Sequence, residues 1–221
     1  MTDLDCYCIS GLGADERIFS RLDLPGVDLL PLPWLVPSPD EPIGEYAGRM
    51  GAGIVGDRPV LMGVSFGGMM AIEIAKKIPG ARVILISSVQ DHRQIPIWIR
   101  IGGRMYPRWL NPGMRTPRRS LRFAEHYFMG VESDDDRRLV TAFQNLVDRK
   151  FLYWAIHAIA RWRNEWVPDS IYHLHGDRDG MFPIGKVQPT RVIPGGTHLM
   201  VYNRAAAVSQ ALRELPWLAG E

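Results

Sequence analysis

Cysteine is scarce in this sequence: Cys6 and Cys8 are the only two among 221 residues. Two positions apart on a β-compatible run, they share a strand face without the geometry that a disulfide needs, so no disulfide framework is expected. Long apolar runs are also missing. Charged residues or prolines interrupt every stretch that approaches the ~20 residues needed to cross a bilayer, and no membrane span is expected. The opening residues, Met1 to Asp5, show no basic segment leading into a long apolar one. The expectation is therefore a cytoplasmic protein without a secretion signal. Net charge is small, formally +2, and gives no argument for a nucleic-acid partner.

What is present fits a globular chain. Hydrophobic residues at 46% and charged residues at 23% exclude a disordered protein. The length suits one compact domain, or one domain carrying a sizeable insertion. No internal repeat or low-complexity segment occurs.

Asp5–Ser10 reads as a strand that stops at Gly11-Leu-Gly13, and Val27–Leu30 as a second short strand. Five prolines between Pro31 and Pro42 then enforce a loop. Ile43–Ile54 has helical spacing, Val60–Val64 is a third strand, Met69–Ile78 a helix and Val83–Ser88 a fourth strand. Ser170–His175 and Thr190–Ile193 continue the strand pattern, and Arg204–Leu215 closes with an alanine-rich helix. Strands alternating with helices imply parallel pairing, hence an open sheet of about six strands, mostly or wholly parallel and covered on both faces. From about residue 91 to 168 the pattern changes to Arg, Trp, Tyr and Met at helical intervals, with 14 basic against 8 acidic residues. This is read as an insertion between core segments 1–90 and 169–221. Within it, Asp134-Asp-Asp136-Arg-Arg138 looks like a helix start with acids in its first turn.

Chemistry concentrates in three places. Gly63-Val-Ser65-Phe-Gly67 matches G-x-S-x-G, whose glycines let a strand turn sharply into a helix and expose the serine hydroxyl. Three fixed positions of this kind recur by chance in roughly one chain of this length in fifteen. The context adds weight, since an apolar strand precedes Ser65 and a helical pattern follows Gly67-Gly68-Met69. His198, in the loop after the last short strand, has the near-neutral titration suited to taking the serine proton and returning it. His173 and His175, alternating with Leu174, read as packed or supporting histidines. The segment from Gly176 to Pro183 offers Asp177 and Asp179, of which one can orient the histidine, and Asp91, after the preceding strand, is a further alternative.

Serine, acid and histidine in this order make the chain resemble the α/β-hydrolase family throughout. That resemblance aligns the family's G-x-x-D segment with Gly176, Asp179 and Pro183, and implies Asp179 as the orienting acid. It implies an oxyanion hole built from the backbone N–H of Phe66 and of Leu12, the latter in Ser10-Gly-Leu-Gly13, where Ser10 replaces the family's usual histidine. It also implies that residues 91–168 form a helical cap over the serine. Trp98, Trp109, Trp154, Trp162 and Trp166, with Tyr106, Phe123, Phe128 and Tyr153, are candidates to line an apolar acyl site. Arg115, Arg118, Arg119 and Arg122 are candidates to neutralise an anionic leaving group, although each also suits a solvated face.

No cofactor is expected. Gly11-Leu-Gly13 lacks the third glycine of a dinucleotide fingerprint, which is Glu16 here, and the cysteines lack metal-ligand spacing with any histidine pair. The expected function is hydrolysis of a carboxylic ester on a small acyl substrate through an acyl-enzyme. The same apparatus also serves thioesters, lactones and carbon–carbon bonds, and a non-catalytic ligand-binding member of the fold is the alternative from another class.

Overall fold

The structure, a computed structural model, describes residues 4–106 and 125–218. Arg115, Arg118, Arg119, Arg122, Trp109 and Phe123 lie outside the described residues.

Among the described residues six strands form one sheet: β1 (Leu4–Ile9), β2 (Val27–Pro31), β3 (Val60–Val64), β4 (Arg82–Ile86), β5 (Ile171–Gly176) and β6 (Arg191–Ile193). Their order is β2-β1-β3-β4-β5-β6 and every pairing is parallel. All strand carboxyl ends therefore open on one edge.

Side chains alternate strictly between two cores, as a sheet buried on both faces requires. Cys6, Cys8, Val60, Met62, Ile84 and Ile86 enter one, while Tyr7, Ile9, Leu61, Val83 and Leu85 enter the other. Both cysteines are free and buried. The second core is closed by helices α1 (Ile43–Met50) and α2 (Phe66–Ala75). The first is closed by α6 (Met200–Asn203) and α7 (Ala205–Arg213).

Between β4 and β5 lie α3 (Ile97–Met105), a π-helical turn (Glu125–Met129), α4 (Asp134–Leu146) and α5 (Arg149–Arg161). Helix α4 begins where the acidic run starts, because Ser133 and Asp136 satisfy each other's backbone N–H in a reciprocal cap. Leu139, Val140 and Phe143 of α4 enter the first core, and Phe151, Trp154 and Ala155 of α5 enter the second. The inserted helices thus supply part of both layers. Among the described residues no helix is long and apolar enough to cross a membrane.

Helix boundaries differ most from the sequence reading, while strand ends differ by one or two residues. Helix α2 starts at Phe66 rather than Met69, because Gly67 and Gly68 form its first turn against neighbouring backbone and Ser88. Helix α1 ends at Met50 rather than Ile54, at Gly51, where a Cβ would stand 2.9 Å from Ile74. The last helix is preceded by an extra helical turn at Met200–Asn203, directly after His198.

Candidate active site

Ser65 sits between β3 and α2 with φ 54° and ψ −119°, left-handed territory that a non-glycine residue occupies at a cost. The surroundings hold it there. Its N–H donates to the Ile86 carbonyl at 3.0 Å, and its own carbonyl accepts from the Gly68 N–H at 3.0 Å and from the Ser88 hydroxyl at 2.6 Å. The flanking glycines are required by close approach. A Cβ on Gly63 would strike the backbone of Gly67 and Gly68, and one on Gly67 would strike the carbonyls of Ile9 and Ser10. The turn therefore locks β3, α2 and the end of β1 together and leaves the hydroxyl half-exposed.

Three of the singled-out side chains meet. The Ser65 hydroxyl is 2.9 Å from His198 Nε2, and His198 Nδ1 is 2.9 Å from Asp179 Oδ2. Asp179 Oδ1 accepts the N–H groups of Met181 and Phe182, each at 2.8 Å, so both carboxylate oxygens are engaged. Burial pushes the Asp179 pKa up, but attraction and hydrogen bonding from His198, with the Phe182 N–H, outweigh it, and the carboxyl is held below its ordinary value. Phe182 stands edge-on to the His198 ring at 5.5 Å, walling the imidazole from solvent.

The two alternative acids are engaged elsewhere. Asp177 accepts the Gly195 N–H at 2.7 Å and pins the loop that leads to His198. Asp91 caps the turn His92–Gln94 and holds Arg93 at 2.7 Å, whose guanidinium keeps its pKa low.

The segments that carry the two expected donors adjoin Ser65. Phe66 is the first residue of α2, where a backbone N–H has no partner within the helix. The loop carrying Leu12 runs beside the serine, and a Cβ on Gly11 would lie 3.5 Å from Ser65 Cβ. Ser10 closes this loop by donating to the Ala14 carbonyl at 2.7 Å, and it accepts the Trp34 indole N–H at 3.0 Å. Trp34 also stacks on Phe66, 5.2 Å between centroids and 8° between planes, and so ties together the two segments that carry Leu12 and Phe66. Sequence reasoning passed over Trp34 and Ser88. A lone tryptophan inside a proline-rich loop was the one available signal for the former, and nothing marked the latter.

The inserted segment approaches from the acid side. A Cβ on Gly180 would meet the Tyr127 carbonyl, and Gly130, at φ 72°, lies against the Thr197 side chain and receives an Asn203 amide bond at 3.0 Å. The aromatic candidates divide. Trp154 and Trp162 are buried, their indole N–H groups spent on the Glu41 carbonyl and on Glu73, each at 2.8 Å. Trp98 is 48% exposed and lies 5.1 Å from Phe128, and Trp166 is also exposed. A cleft of about 990 Å³ between the proline-rich loop and α5 is lined by Tyr153, Trp154 and His157, with Ser65, Asp179 and His198 absent from its walls.

A family described as the alpha/beta hydrolase family matches residues 5–211. No curated protein sequence matches significantly. Among solved structures, an esterase from Thermogutta terrifontis is similar at TM-score 0.73 and 17% identity, over 99% of this chain and 90% of that one. A hydrolase from Pseudomonas aeruginosa PA01 gives 0.73 and 13%, over 99% and 91%. An enol-lactonase from Burkholderia xenovorans LB400 gives 0.70 and 14%, over 100% and 93%. With the six-stranded parallel sheet and a match spanning nearly its whole length, the chain belongs to the alpha/beta hydrolase family.

Proposed function

We propose that the protein hydrolyses carboxylic esters through an acyl-enzyme, with Ser65 as nucleophile, His198 as general base and Asp179 as the acid that orients it. The observation that carries this reading is the unbroken run of hydrogen bonds from the Ser65 hydroxyl through both nitrogens of His198 to Asp179, 2.9 Å at each step. His198 Nε2 takes the serine proton as the oxygen attacks the ester carbonyl, and Asp179 stabilises the resulting imidazolium. The N–H groups of Phe66 and Leu12 receive the developing oxyanion. Collapse of the tetrahedral intermediate breaks the ester C–O bond, and His198 returns the proton to the departing alcohol. Water, deprotonated by the same imidazole, then releases the carboxylic acid.

Residues 91–168 act in this reading as the cap that frames the acyl pocket. The support is the contact of Tyr127 and Gly130 backbone with the loops of Asp179 and His198. No cofactor takes part in the proposed reaction. A cytoplasmic setting belongs to the same proposal.

Short p-nitrophenyl esters test it. Wild-type protein is expected to turn them over, and Ser65→Ala to lose activity by a factor on the order of 10⁶. Retained turnover in Ser65→Ala would show that another group is the nucleophile. Ligand binding without turnover across an ester panel would favour a non-catalytic member of the fold.

A further inference from the structure

Behind Asp179 lies a pair of buried imidazoles that the proposed reaction leaves unused. His173 and His175 share one face of β5, and both are fully inaccessible to solvent. The contact with Phe182 fixes the proton of His175, and the other contacts fit the arrangement that follows from it. His175 Nε2 is 2.7 Å from the Phe182 carbonyl, and a carbonyl only accepts, so this nitrogen carries the hydrogen. Burial, the leading cause for both rings, lowers the pKa of His175 and pushes that of His173 down to about 3, so both are neutral near pH 7. A neutral His175 with hydrogen on Nε2 offers Nδ1 as an acceptor, and the 3.3 Å contact with His173 Nε2 is a donation from His173. His173 Nδ1 then accepts the Gln90 side-chain amide at 3.1 Å. The N–H donors thus run one way, from half-buried Gln90 through two rings to the Phe182 carbonyl.

That carbonyl belongs to the residue whose N–H holds Asp179 Oδ1, and His175 Nε2 also lies 3.5 Å from Asp179 Oδ2. We infer that His175, fixed in its tautomer by His173 and Gln90, is a positioning residue that sets the Asp179–Phe182 turn so that Oδ2 faces His198. The inference rests on the reading of Asp179 as the orienting acid. A cation at this place would compete with His198 for the carboxylate. A neutral donor aimed at the neighbouring carbonyl orients the turn and leaves the negative charge of Asp179 available to the imidazolium that forms during reaction.

The test compares His175→Leu, which removes the donor, with His175→Gln, whose amide N–H can reach the same carbonyl. On a short p-nitrophenyl ester, the leucine variant is expected to lose roughly 10- to 100-fold in kcat with KM changed by less than about two-fold. It should also lose the downfield proton resonance of His198 Nδ1, and the glutamine variant should recover most of both. A folded leucine variant with wild-type kcat and that resonance intact overturns the inference. Wild-type protein gives a check that needs no variant to fold: nitrogen-resolved NMR should find both His173 and His175 hydrogen-bearing at Nε2 between pH 7 and 8. Hydrogen on Nδ1 of His175 in that range would overturn it too. These tautomers are read without turnover, so a wild type inert toward esters but with both tautomers as stated marks failure of the ester-hydrolase reading instead.

Discussion

At the carboxyl edge of the sheet, Ser65 and Asp179 are held by backbone: N–H groups grip Asp179, a strained φ of 54° presents Ser65, and glycines at 63 and 67 stand where no Cβ fits. Between β4 and β5, by contrast, large side chains carry the structure, with Phe143, Phe151 and Trp154 filling the two cores and Trp98 left exposed against Phe128. The first region is rigid because removing any one backbone contact leaves a buried polar group unpaired. The second depends on packing, which tolerates substitution at conserved volume. Changes at the edge should therefore act on kcat, and changes at Trp98 on substrate binding.

The largest expected contrast separates two aspartates two residues apart. Asp179→Asn should cut kcat by about 10⁴-fold while the protein stays folded, as loss of an orienting carboxylate does elsewhere. Asp177→Asn, which alters only the bond to Gly195, should stay within about ten-fold, given that its partner lies outside the reacting groups. Steady-state kinetics on both variants decides the assignment, and equal losses would contradict it.

Trp34 bridges the segments carrying Leu12 and Phe66, so it belongs with the edge although it sits in the proline-rich loop. Trp34→Ala should lower kcat by about 10²-fold, comparable to loss of one oxyanion donor. Unchanged kcat in a folded variant would remove Trp34 from this account.

A smaller effect concerns acid stability. His173 and His175 have folded pKa values below the ordinary histidine value, so between the two values the unfolded chain binds more protons and stability rises with pH. Their contribution is complete above about pH 6.5 and is lost as pH falls, by up to about 1.4 kcal/mol per pH unit for each ring. Asp179, with its pKa held low, adds to the loss only at more acidic pH, as its carboxyl protonates. Denaturant midpoints between pH 7 and 4.5 should fall less steeply in His173→Gln than in wild type, and identical slopes would argue against burial as neutral rings.

The smallest expected change is at Trp98. Trp98→Ala should raise KM for longer acyl chains by a few-fold, less than the roughly 1–3 kcal/mol of a full apolar pocket contact, with kcat preserved. A fall in kcat without a KM change would place Trp98 with the edge.

The sheet and the three meeting side chains were legible because short-range chemistry encodes them. Continuous apolar runs report burial on both faces of β3 and β4, and Gly63, Ser65 and Gly67 stand together in one short strand-to-helix segment. Asp179 was harder, since Asp177 has the same chemistry and only the fold directs one of them to His198. Helix α2 was read three residues late because Gly67 and Gly68, poor helix formers, are demanded by contacts with Ile9, Ser10 and Ser88, which are distant in sequence. The roles of Trp34, Ser88 and the His173–His175 pair depend wholly on such long-range approach. For the same reason Trp154 and Trp162, candidates for an acyl pocket, prove to be buried in the second core.

A fluorophosphonate probe with peptide mapping by mass spectrometry decides whether Ser65 is a nucleophile activated through His198. A single adduct on Ser65 is expected in folded protein, abolished in His198→Ala. An unmodified Ser65 in folded wild type, or equal labelling when His198 is replaced, would contradict it.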